Sequence, residues 1–96
     1  MQVLDCKDDW SLKSIRSVQA HILANDSGAR RLSLDCSAVT SCDLTGIQLL
    51  AAAFRGFAES GRSLSVAGLS PAMEQALARA GLALSPAGDA LICGGN

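Results

Sequence analysis

Leu34-Asp35-Cys36-Ser37-Ala38-Val39-Thr40-Ser41-Cys42-Asp43-Leu44-Thr45, followed at once by Gly46, is the passage on which the reading of this chain turns. It opens as the end of an alternating segment, Leu32-Ser33-Leu34-Asp35-Cys36, whose period of two reads as a strand. A polar, hydroxyl-rich turn at residues 37–42 follows. An amphipathic helix then begins at Asp43 or Leu44 and runs to Ser60, with Gly61 as its stop. Two capping registers compete: Asp43 caps directly, or Thr45 caps with Gln48 at the capping-box spacing. Either way the Thr45 hydroxyl falls at a helix N-terminus. Free N–H groups and the positive dipole end favour an anion there. Phosphorylation of that hydroxyl would add about −1.5 to −2 charges at pH 7.

Upstream, Val3 to Cys6 reads as a short edge strand and Lys7-Asp8-Asp9 as a polar turn. Ser11 is the expected cap of a first helix, with Trp10 and Ile15 at the positions of a hydrophobic staple. Leu12, Ile15, Val18, Ile22 and Leu23 form its apolar stripe. His21 lies opposite and reads as a solvated helix-face histidine rather than a catalytic base. Asn25-Asp26-Ser27-Gly28 ends that helix.

Downstream, Ser63-Leu64-Ser65-Val66-Ala67 alternates as another strand. Ser70-Pro71 places a cap before proline at the first helical position. Met73, Ala76, Leu77 and Ala80 face inward from that third helix, which stops at Gly81. Leu82-Ala83-Leu84 reads as a last strand or an extended exit, residues 90–93 as a short apolar run, and residues 94–96 as frayed.

Strands alternating with helices predict a small α/β fold, with a mixed or largely parallel sheet of about four strands and helices mainly on one face. The 96 residues suit one domain, 1–96, which buries ~60–65% of its unfolded surface. In the second helix, Ile47, Leu50, Ala51, Phe54, Phe57 and Ala58 share a broad inward face. Leu49, Ala52, Ala53 and Gly56 lie near the outer side and are unusually apolar for solvent. That side is either covered by the domain itself or is a contact surface for a partner.

Composition excludes several classes. The net charge is −1, the eight basic residues are scattered, and the aromatics are Trp10, Phe54 and Phe57 alone. Nothing there suits nucleic acid. No apolar run reaches the length of a membrane span, and the N-terminus lacks the basic-then-apolar order of a signal segment; the expected location is the cytoplasm. Cys6, Cys36, Cys42 and Cys93 form no C-x-x-C pair, and they read as reduced residues in or beside strands. There is no G-x-S-x-G elbow, no phosphate-cradling glycine loop and no H-E-x-x-H. Asp35 and Asp43 could form a carboxylate pair for Mg²⁺ or proton transfer. Asp43 reads better as a helix cap, and Asp35 as an acceptor for the loop that follows it. The expectation is a non-enzymatic chain with no metal and no cofactor.

Residues 31–82 resemble a STAS domain, the module of bacterial anti-sigma factor antagonists. The matching pieces are residues 34–40, the turn Asp43-Leu44-Thr45-Gly46-Ile47, the strand Gly61-Arg62-Ser63-Leu64-Ser65-Val66, and Ser70-Pro71 through Ala80-Gly81-Leu82. Asp8-Asp9-Trp10-Ser11 fits more loosely, ahead of the family's first helix. The resemblance implies that Thr45, directly before the glycine, is the residue phosphorylated by a partner that is both anti-sigma factor and Ser/Thr kinase. It implies that the unmodified module binds this partner and that the phosphate breaks the complex. The implied partner surface is Asp43, Leu44, Thr45, Gly46, Gln48, Leu49 and Ala52. Leu44 departs from the family pattern, since many members carry a second hydroxyl there. Thr in place of Ser is stiffer at χ1. The N-terminal part has room for one strand where the family often has two, and the altered edge offers a route to a homodimer. The alternative is a STAS subunit of an ABC-type lipid transporter that binds its ATPase, in which the residue before the glycine is often not a hydroxyl.

Overall fold

A computed structural model describes residues 1–94. The order is β1 (Gln2–Trp10), α1 (Ile15–Asn25), β2 (Arg31–Cys42), α2 (Leu44–Glu59), β3 (Ser63–Leu69), α3 (Pro71–Arg79), β4 (Leu82–Leu84) and β5 (Leu91–Cys93). Three strands form a parallel sheet in the order β1-β2-β3. The expected α/β fold is present, but its sheet is divided. The last strand predicted at residues 82–84 does not join the main sheet. It pairs antiparallel with β5, Leu82 opposite Cys93 and Leu84 opposite Leu91. The short run at residues 90–93 supplies that partner.

Alternation on the strands sets the layers. Leu4, Cys6, Leu32, Leu34, Leu64 and Val66 are buried, in one core with Val18 of α1, Leu50 of α2 and Met73 of α3. Val3, Asp5, Arg31, Ser63 and Ala67, at intervening positions, are exposed. A second cluster joins Ile47 of α2 to Ala76 and Leu77 of α3. The predicted caps of α3 hold: Ser70 Oγ accepts from Met73 N–H at 3.2 Å, and proline occupies the first turn.

Both sheet edges are managed. Along β3, the Val66 N–H donates to the Gly88 carbonyl at 2.7 Å. Gly88 has φ +75°, and a Cβ there would lie 2.5 Å from the Val66 carbonyl oxygen, so glycine is required. Along β1, register shifts fall between Asp5 and Lys7 and between Asp8 and Asp9. Asp8 takes a left-handed conformation, φ 68°. His21 Nε2 lies 3.1 Å from the Asp5 carbonyl, and Asn25 Nδ2 lies 3.3 Å from His21 Nδ1.

The structure corrects several local expectations. Lys7-Asp8-Asp9 is not a turn but the bulged continuation of β1, which carries Trp10 into the core at 1% exposure. Residues 37–42 are not a loop but the second half of β2, with Ala38 opposite Lys7 and Cys42 opposite Trp10. Pairing with β1 holds this polar stretch extended, a tertiary effect that local propensity does not encode. Ser11 does not cap α1; the cap position is Ser14, and the staple positions move with it. Leu12 therefore precedes the helix and is 71% exposed, and Leu23 is exposed as well. The inward face of α2 is rotated: Leu49 and Ala53 pack against the core, whereas Ala58 is exposed. Gly94, expected to fray, donates its N–H to Gly81 at 2.8 Å. Residues 95–96 lie outside the described residues.

Candidate functional site

The C-terminal ends of β1 and β2 meet the start of α2. In an open α/β sheet this is the end at which ligands and partners are usually received. Two aspartates organise it. Asp9, at the end of β1, accepts from Ser41 Oγ at 2.7 Å, from Ser11 N–H at 3.0 Å, from Ser11 Oγ at 2.7 Å and from Ser14 Oγ at 3.0 Å. These bonds favour its ionised form and hold its pKa below the ordinary carboxylate value, the Ser41 hydroxyl contributing most. Asp9 thus ties the last turns of β1 and β2 to the entrance of α1.

Asp43 decides between the two capping registers. Its Oδ1 accepts from Thr45 N–H at 2.9 Å and Gly46 N–H at 3.3 Å, the side-chain cap of α2. Its Oδ2 accepts from Leu12 N–H at 3.0 Å, thirty-one residues away in sequence. One carboxylate therefore fastens the β1–α1 connection to the head of α2. It also fills the site that an anion at this N-terminus would otherwise occupy.

Thr45 is half-buried in the first turn of α2, and its hydroxyl forms no hydrogen bond among the described residues. Leu44 beside it is 58% exposed. Gly46, by contrast, is buried beneath this surface. A Cβ there would run into the Trp10 carbonyl oxygen and sit 2.8 Å from Cys42 Sγ. The glycine next to the hydroxyl thus lets α2 start against the strand ends. Cys42 Sγ donates to the Asp43 carbonyl at 3.5 Å. Burial, with Asp43 and Asp9 nearby, pushes its thiol up to about 11.

Gln48 and Ala52 are exposed further along α2, and Leu49 is half-buried. Leu49 and Ala52 line a groove of about 340 Å³ between α1 and α2, with Leu23, Ala53, Gly56 and Phe57. The apolar outer side of α2 is thus partly covered by α1 and partly open. Of the seven residues expected on one surface, Leu44, Thr45 and Gln48 share the head of the helix and Ala52 extends it toward the groove. Asp43 supports them from below.

Leu12 and Asp9 carry this surface without having been singled out from the sequence. Leu12 fits a helical spacing with Ile15, so periodicity hides it. The Asp9-Trp10-Ser11 spacing is an Asx-turn signal that could have pointed to Asp9. Asp35, placed as an acceptor for the following residues, does accept from Ser37 N–H at 3.1 Å and from Ser37 Oγ at 2.6 Å. Among the described residues no group of three or more His, Cys, Asp or Glu could hold a metal ion. Nor is any described helix long and apolar enough to cross a membrane.

A family model described as "Mlab, STAS domain" matches residues 2–85. The chain belongs to the STAS domain family. No curated protein and no solved structure matches it. STAS domains are typically non-enzymatic binding modules that mediate contacts between proteins.

Proposed function

We propose that this STAS domain is a protein-binding module of the anti-sigma antagonist kind, switched by phosphorylation of Thr45. The observation that supports it most is the pairing of an unengaged hydroxyl with an exposed apolar neighbour at the head of α2 (Leu44, 58% exposed). A leucine held open to solvent on an ordered helix start suits a partner that buries it.

The unmodified surface binds an anti-sigma factor that is also a Ser/Thr kinase, in the cytoplasm. Leu44, Thr45, Gln48, Leu49 and Ala52 form the contact, and Asp43 and Gly46 hold its shape. A phosphate on Thr45 finds two of the helix N–H groups, those of Thr45 and Gly46, already taken by Asp43. It also meets the like charge of that carboxylate beside it. Burying it against a partner then costs several kcal/mol, on the scale of about 3–5 for an unpaired buried charge. The phosphate acts at the interface without unfolding the module.

A second reading, a STAS subunit that binds the ATPase of an ABC-type lipid transporter, is supported by the match to a family model described as "Mlab, STAS domain". In that reading the same surface binds constitutively and Thr45 carries no phosphate.

Incubation with the cognate kinase and ATP separates the two. The first reading expects one phosphate on Thr45 and none on Thr45→Ala. Label that survives Thr45→Ala, or no label at all, removes it.

A further inference from the structure

The core contains a pair of thiols that the binding surface does not use. The register of β1 on β2 runs Asp5 opposite Asp35 and then Lys7 opposite Ala38. Across that shift Cys6 alone faces Cys36 and Ser37. Cys6 and Cys36 are both free, both buried, and packed in the same core cluster. Cys6 also lines a cavity of about 290 Å³ between β1 and α1, with Asp8, Ser14, Ser17 and His21 among its other walls. Cys6 therefore borders this cavity, whereas Cys36 is not among its walls and is fully buried.

We infer that Cys6 and Cys36 form a reversible disulfide, with a small peroxide entering the β1–α1 cavity as oxidant. Neighbouring strands hold their Cα atoms within the span a disulfide bridges. The two thiols influence each other: the neighbouring Cys36 draws the Cys6 pKa down, and Cys6 together with burial pushes that of Cys36 up. Cys6, on the cavity wall, is the sulfur a peroxide reaches first, and Cys36, away from that wall, is the resolving thiol; the direction of the two shifts agrees with those roles.

In the first step the Cys6 sulfur attacks one oxygen of hydrogen peroxide. An S–O bond forms, the O–O bond breaks, and hydroxide leaves to be protonated to water. Cys6 is then a sulfenic acid. In the second step the Cys36 sulfur attacks the Cys6 sulfur. The S–S bond forms, the S–O bond breaks, and the hydroxide departs as water with the Cys36 proton. Two thiols lose two electrons and two protons, and one peroxide becomes two waters. A dithiol reductant reverses the step by exchange.

The test uses the folded chain with Cys42→Ser and Cys93→Ser, which leaves only this pair, alongside the unsubstituted protein. Hydrogen peroxide is added in native buffer, and products are read by intact mass, thiol titration and non-reducing peptide mapping. The expected product is a monomer lighter by two hydrogen atoms, with no titratable thiol. In that variant the peptide ending at Lys7 is joined to the one beginning at Leu32, whose one remaining cysteine is Cys36. Adding Cys36→Ser should stop the reaction at a Cys6 sulfenic acid that dimedone traps. Two thiols still titratable after peroxide, a link only between two chains, or a trapped sulfenic acid on Cys36 rather than Cys6 would overturn the inference. In the unsubstituted protein, a Cys36–Cys42 link in place of Cys6–Cys36 would do the same.

Discussion

Asp43 and Leu12 are joined by a 3.0 Å hydrogen bond from the Leu12 N–H to Asp43 Oδ2, while Oδ1 of the same carboxylate caps α2. The helix cap and the β1–α1 connection therefore share one side chain. Removing it leaves three N–H groups to find water and unfastens Leu12. Asp43→Ala is expected to lower stability by about 1–2 kcal/mol, the usual cost of losing an N-cap. Asp43→Asn, which keeps one acceptor oxygen, should lose less. Urea unfolding of the three proteins checks the order. Equal stability of Asp43→Ala and the unsubstituted protein would remove the clamp from the account.

Gly46 is the position least able to accept a side chain. Its Cβ would collide with the Trp10 carbonyl, which belongs to a buried strand end and has little freedom to move. Gly46→Ala is expected to destabilise by roughly 1–3 kcal/mol, despite alanine's better helix propensity. Gly56, on the same helix with nothing within 4 Å of an added Cβ, supplies the contrast. Gly56→Ala should be neutral or stabilising by up to ~1 kcal/mol. Thermal melts should fall for Gly46→Ala and stay level or rise for Gly56→Ala.

The far end of the domain is tied by Arg62. Its guanidinium donates to both oxygens of Asp26, at 2.6 and 2.9 Å, and stacks 4.4 Å from the Phe57 ring. That pairing, with the Gly28 N–H, holds Asp26 at about 2 instead of the ordinary 3.8. The folded value is depressed, so the stabilisation is present above pH 3.8 and is lost as pH falls toward 2. For a pair at the surface, about 1 kcal/mol is at stake. Asp26→Asn should lower stability at pH 6 and flatten its fall below pH 4. Asp9 and Asp35 are shifted in the same direction, so acid sensitivity should be reduced rather than abolished. Urea midpoints measured across that range test the sign.

Thr45→Glu places a carboxylate in the first turn of α2, where the dipole favours it and Asp43 opposes it. The two effects nearly cancel, and the variant should remain within about 1 kcal/mol of the parent. A loss of ellipticity at the same temperature would instead mark Thr45 as structural.

Much of this architecture could be read from the chain because its signals are local. Ser70-Pro71, Gly61 and Gly81 punctuate helices by backbone chemistry alone, and the alternation at residues 32–36 and 63–67 marks strands wherever they pair. What could not be read is decided by pairing between distant segments. Residues 7–9 and residues 37–42 are polar and turn-like by themselves. They become strand because each supplies the other's backbone partners. The same pairing moves Trp10 inward and leaves Leu12 outside the helix. At the site, Thr45 and Asp43 were visible as a helix start. The link from Asp43 to Leu12 was not, since nothing in a single sequence brings residues thirty-one apart together.

The binding claim is tested most directly by affinity purification with mass spectrometry from the native host, using the parent chain and Thr45→Glu side by side, each checked by a thermal melt. The parent should retain a kinase-type partner, and Thr45→Glu, equally folded, should lose it. Retention of the same partner by both proteins would contradict it.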